Sequence, residues 1–144
     1  MKRFAFPLAR VLNWRRAQAL AEEMKLDRLH AERSALRGRR QDFEDASLSG
    51  LTALTRMGRV NGSDLAALDR YRNFKAAQAA RLTDSLRDLD RQIAAKVETV
   101  SERRRGVRLI ERLRDQAFAK WRAENGKEAD RLAEESYLTR WGRR

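Results

Sequence analysis

The sequence predicts an all-α fold: one long antiparallel two-helix coiled-coil hairpin occupying 1–144 as a single domain. Three observations predict it. A heptad pattern runs from Leu65 to Trp121, a strong turn signal lies at 58–63, and the 144 residues are 38% charged with one proline and a mean hydropathy of −0.79. Such a composition belongs to long solvated helices, and no block is apolar enough for a thick globular core.

The heptad comes first because it fixes the rest. Every seventh residue from Leu65 gives Leu65, Arg72, Ala79, Leu86, Ile93, Val100, Val107, Arg114 and Trp121; every seventh from Leu68 gives Leu68, Lys75, Leu82, Leu89, Lys96, Arg103, Ile110 and Ala117. The two rows alternate three and four residues apart, as a and d positions do. Between Ala79 and Ile93 both rows are apolar. Beyond Ile93 the d row fails at Lys96 and Arg103, and Val97 lies near enough to patch the stripe. No proline interrupts the run, and its one glycine, Gly106, costs roughly 1 kcal/mol against alanine. A stripe this narrow buries too little alone and requires a partner helix.

That partner is the first helix, expected over about 8–57. Pro7 suits a first turn, where its missing N–H is harmless. Phe4, Phe6, Leu8, Val11, Leu12 and Trp14 crowd large apolar groups into one stretch that either staples onto the second helix or forms an exposed docking surface, or both. Ala17, Leu20, Ala21 and Met24, then Leu26, Leu29, Leu36 and Phe43, carry a weaker stripe. Gly38 and Ser47-Leu48-Ser49-Gly50 lower helix propensity and allow a kink near 47–50, after which Leu48, Leu51, Leu54 and Met57 continue at spacing three.

In the turn, Gly58 can end a helix in the left-handed conformation, Asn61-Gly62 is a turn dipeptide, Ser63 is a good N-cap and Asp64 sits well at a positive helix N-terminus. So short a connection makes the helices antiparallel neighbours. The second helix, about 63–141, allows a break at Asn125-Gly126. At 1.5 Å per residue the arms span about 75 and 120 Å, so the first reaches only to around Arg112. The overhang then carries Phe118, Trp121, Leu132, Tyr137, Leu138 and Trp141, which either fold back, self-associate or meet another protein.

Several functions find no residues here. There is no cysteine, hence no disulfide framework or thiolate metal site, which suits a reducing cytoplasm. No apolar run approaches the ~20 residues of a membrane span. The basic start Met1-Lys2-Arg3 and brief apolar stretch break at Arg10, too short for a secretory signal; the lack of an acid before Glu22 leaves a transit peptide as the alternative. His30 is the sole histidine and cannot hold a metal alone, phosphate-cradling glycine loops and nucleophile elbows are missing, and Asp42, Glu44 and Asp45 lie in a charged helix facing no predicted pocket. The expectation is a non-enzymatic protein with no catalytic, cofactor-binding or metal-ligating residues and no cofactor.

The net charge of +12 favours acidic partners: nucleic acid, anionic membrane or an acidic protein surface. Arginine clusters stand at Arg37, Arg39 and Arg40, at Arg103, Arg104 and Arg105, and at Arg143 and Arg144. A bZIP would place its basic region before the heptad; here the densest run comes late and Arg103 falls on the stripe itself. Nonspecific, salt-sensitive nucleic-acid binding is expected as a property of the charge, with no specific nucleic-acid partner. A basic coiled-coil nucleic-acid binder remains the alternative function, and an amphipathic membrane-surface helix over residues 1–24 a third.

Three stretches resemble a known family. Phe4-Ala5-Phe6-Pro7-Leu8 followed by Val11-Leu12 and Arg15 is similar to the start of FliJ-family flagellar export proteins. After the turn, Leu68-Asp69-Arg70-Tyr71-Arg72-Asn73-Phe74 resembles that family's tyrosine-x-x-aromatic stretch. Arg103 to Arg122, with Leu109, Leu113 and Trp121, is similar to its basic C-terminal run, while the tail departs from the pattern at Glu128-Ala129 and Ala133-Glu134. The stalk proteins of type III secretion injectisomes look much alike. The resemblance implies a stalk-like coiled coil that binds the flagellar export ATPase ring, promotes its assembly and activity, and contacts the cytoplasmic domain of the export gate and the export chaperones. It implies a cytoplasmic protein, peripheral at the inner membrane through those partners. By position it assigns Phe6, Leu8, Leu12, Trp14, Phe118 and Trp121 to the ATPase, and Tyr71 and Phe74 to the gate. Tyr71 and Phe74 fall off the a and d rows, so either the seam shifts to bury them near the turn or they are exposed for a partner.

Overall fold

The computed structural model describes residues 3–59 and 61–142; Met1, Lys2, Val60 and the terminal Arg143-Arg144 pair of the sequence reading lie outside them. The described residues form two helices, α1 (Ala9–Arg56) and α2 (Gly62–Trp141), packed against each other as an all-α helical hairpin. Both places where the sequence allowed a break are continuous: α1 runs through 47–50 and α2 through Asn125-Gly126.

The helix ends follow backbone accounting. Before α1 the Phe6 carbonyl accepts the Ala9 N–H at 3.1 Å, so Pro7 sits in the lead-in turn. After Arg56, Gly58 adopts φ +67°, a conformation that would strain a side chain, and the chain reverses there. At the start of α2 the N-cap is Asn61 rather than Ser63. Its carbonyl accepts the N–H groups of Asp64 and Leu65, both at 3.1 Å, and its own N–H donates to Asp64 Oδ2 at 3.0 Å. Asp64 stands three residues beyond the cap, where a carboxylate can reach back to it. That reciprocal bond makes Asn61 the better cap and puts Gly62 and Ser63 inside the helix.

Packing divides the chain into two compact units, Glu22–Thr99 and Met1–Ala21 with Val100–Arg144. In the first, Leu86 and Ile93 are buried on the predicted a row and Leu26, Leu29, Leu36 and Phe43 are half-buried on α1. Polar seam positions pair rather than break the stripe: Lys96 Nζ donates to Glu22 Oε2 at 2.8 Å, and Arg33 Nη1 lies 3.3 Å from Asp90 Oδ1. Val97, expected to patch the seam beside Lys96, is 47% exposed. It is unneeded, because the Lys96 stem packs in the seam while its ammonium meets a carboxylate. Toward the turn Ser47 is wholly enclosed, and its hydroxyl has no hydrogen-bond partner.

Among the described residues of the second unit, Leu12, Ala19 and Val100 are the buried apolar ones. Arg16 Nη2 donates to Glu111 Oε1 at 2.7 Å, and Arg103 Nη1 donates to Gln18 Oε1 at 3.2 Å. Leu12 and Ala19 stand seven apart, and Leu26 follows at the same interval, so the seam of α1 starts earlier than the sequence suggests. Leu20 and Met24, expected to supply it, are exposed, and Glu22 occupies a seam position instead. The expected overhang is also shorter. The non-helical Phe4–Pro7 segment advances up to ~3.3 Å per residue against 1.5 Å in a helix, and it brings Phe4 to Phe118 and Trp121. Exposure is complete only later, from Asp130 to Gly142.

Candidate partner-docking surfaces

Three rings hold the start of the chain to α2. Phe4 meets Phe118 edge-on, with centroids 5.2 Å apart at 80°, and lies 5.7 Å from Trp121; Phe118 and Trp121 stack at 5.6 Å and 26°. Such edge-to-face and offset contacts are each worth about 0.5–1.5 kcal/mol beyond area burial. Phe118 keeps an exposed edge and Trp121 is half-buried. Next along the chain, Leu8 and Val11 are exposed and Trp14 is 57% exposed, with the Arg15 guanidinium 5.8 Å from its ring centroid. Leu12 points the other way and is 3% exposed.

The six residues assigned to this surface therefore separate. Leu8 and Trp14 are presented to solvent, Phe6 is half-buried, and Phe118 and Trp121 serve packing and surface together. Leu12 is core and offers no surface. Phe4 and Val11 belong with the group. Both stood in the apolar crowd of the sequence, but nothing there identified Phe4 as the ring that reaches α2.

Tyr71 and Phe74 are exposed neighbours one turn apart on α2, Phe74 at 56%; the seam does not shift to bury them. The d-row Lys75 lies half-buried between them and the next turn, so its aliphatic stem fills the seam and both rings stay outside. Leu48, Leu54, Met57 and Leu65 are exposed as well.

Charge is spread unevenly. Residues 1–21 and 100–144 hold eighteen basic and eight acidic side chains, against fifteen and thirteen in 22–99. Almost all of the positive excess accompanies the aromatic group. In the other unit Glu22 is held below the usual carboxylate range, first by the Lys96 hydrogen bond and then by Lys25 at 3.1 Å. Among the described residues no three histidine, cysteine or acidic side chains are grouped as metal ligands, and no helix is long and apolar enough to cross a membrane. Compared with protein-family models, curated proteins and solved structures, the chain matches none.

Proposed function

We propose that this protein is a non-enzymatic stalk and adaptor of a flagellar type III export apparatus, similar to FliJ-family proteins. In this reading it binds and promotes the export ATPase ring through the aromatic group around Leu8 and Trp14. It contacts the cytoplasmic domain of the export gate through Tyr71 and Phe74, meets export chaperones, and sits in the cytoplasm at the inner membrane through those partners. An injectisome stalk would use the same surfaces. The observation that carries the reading is exposed Leu8 in the lead-in turn and exposed Val11 and Trp14 on α1, beside a seam already filled by Leu12 and Ala19 of α1 and Val100 of α2. Large apolar groups left in water beside a filled seam mark an interaction surface, and the surrounding basic excess gives fast, salt-sensitive docking to an acidic one.

The test is ATP hydrolysis by the export ATPase of the same organism, with and without this protein. Leu8→Ala with Trp14→Ala is expected to lose most of the stimulation at unchanged helix content. Trp121→Ala is a poorer probe, because it also removes a packed ring. Full stimulation by the double variant sinks this assignment.

The basic excess of residues 1–21 and 100–144 favours one second reading, nucleic-acid binding. As a main function it requires nanomolar affinity at about 150 mM salt; micromolar binding that vanishes there is the counterion-release background of a basic surface.

A further inference from the structure

The face of α2 turned away from the hairpin seam carries an unused pattern. From Arg105, steps of four and three residues in alternation pass Leu109 and Arg112 and reach Ala123. From Trp141, the same steps taken backwards pass Tyr137 and Glu134 and also reach Ala123. Every residue on this row is exposed, and the helix beneath it is continuous. The spacing is a palindrome about Ala123. An isologous contact needs that property, since residue i must meet j while j meets i.

The chemistry of the two halves is complementary. Residues 103–122 hold eight basic and two acidic side chains, whereas 123–142 hold three and five. A second copy laid antiparallel sets the acidic half on the basic half; a parallel copy sets like on like. In the antiparallel arrangement Arg112 faces Glu134, exposed Leu109 faces exposed Tyr137, and Arg105 faces the exposed Trp141 ring as a cation does an aromatic face. At the centre Ala123 meets its own copy, small enough for close approach.

We propose that this outer row is a homodimer contact in which two copies of α2 pack antiparallel about a two-fold axis at Ala123. The row extends ~54 Å along the helix. With fewer than the roughly 20–30 residues a side of a standard interface, the dimer is reversible and concentration-dependent. It is independent of the export reading, since Phe4, Phe118 and the seam lie on the other side of α2.

Sedimentation velocity of the full chain at low salt, from about 1 to about 100 µM, tests it. The wild type is expected to shift from monomer to dimer. Arg112→Glu alone and Glu134→Arg alone each put two like-charge pairs in the dimer and are expected to raise its dissociation constant about ten-fold or more. An equimolar mixture of the two variants pairs every charge again and is expected to dimerise like the wild type. The chain has no cysteine, so Ala123→Cys reports alone: mild oxidation is expected to link it across the axis, while Arg105→Cys, facing Trp141, stays unlinked. A wild type monomeric throughout, single reversals without effect, a mixture that stays monomeric, or equal cross-linking at 105 and 123 overturns the proposal. So does a monomer whose Arg112→Glu variant loses only nucleic acid or an acidic protein.

Discussion

The region where the chain begins and the region around the turn solve the same problem by different means. At the start, three rings and buried Leu12 and Ala19 tie Phe4–Ala21 to Val100–Trp121. Among the described residues around the turn only Ser47 is enclosed, and Leu48, Leu54, Met57, Leu65 and Phe74 all face water. The difference follows from connectivity. Beside a short turn the partner helix is already near, and closing a short loop costs little entropy, so capping by Asn61 and Asp64 with Gly58 in the reversal suffices. Phe4–Ala21 lies some eighty or more residues along the chain from the part of α2 it packs on, so no short closure holds it there and side chains must. Apolar groups left exposed near the turn are therefore free for a partner, whereas those near the start are divided between packing and presentation.

The largest effect that breaks this comparison is Leu12→Ala. Removing a side chain that is 3% exposed should cost about 2–4 kcal/mol, with hydrogen exchange accelerating in 9–21 and 100–121 while amides beside the turn keep their protection. Ser47→Ala should move the other way, gaining about 1 kcal/mol in denaturant unfolding, because it removes an enclosed hydroxyl without a partner and installs a better helix former. A comparable gain is expected from Gly106→Ala: the added methyl meets Arg15 Nη1 at 3.6 Å, an ordinary contact, and the helix interior loses a glycine. The smallest effect is on pH dependence. Glu22 is held below its ordinary value, so its ionised form favours the folded state. That contribution is fully present above the unfolded carboxylate value of about 4.3 and is lost as pH falls through the lower folded one. The thermal midpoint of Glu22→Gln should lie below that of the wild type at neutral pH, and the gap should close in acid.

The contrast between regions also explains what the sequence could reveal. The α2 seam was legible because its a and d rows are largely apolar and a heptad is a local signal: Leu86, Ile93 and Val100 are buried where the rows place them. The seam of α1 was hidden because Arg15, Glu22 and Arg33 interrupt it, and Glu22 and Arg33 fit only through Lys96 and Asp90 across the pair. The ring cluster was hidden for the same reason. Phe4 precedes the helix, so no periodicity ties it to Phe118 and Trp121, a contact more than a hundred residues away in sequence. Of the candidate surfaces, Tyr71 and Phe74 stand exposed, one of the two outcomes their off-seam positions allow, while Trp14 is exposed and Leu12 buried, because an apolar crowd does not say which members turn inward.

The measurement that bears most directly on the proposed stalk role is a titration of this protein into the export ATPase while ATP hydrolysis is followed. A single stalk serving a ring predicts stimulation that saturates well below one copy per ATPase subunit. Saturation at one copy per subunit, or no stimulation at any salt concentration by a chain shown to be helical, contradicts it.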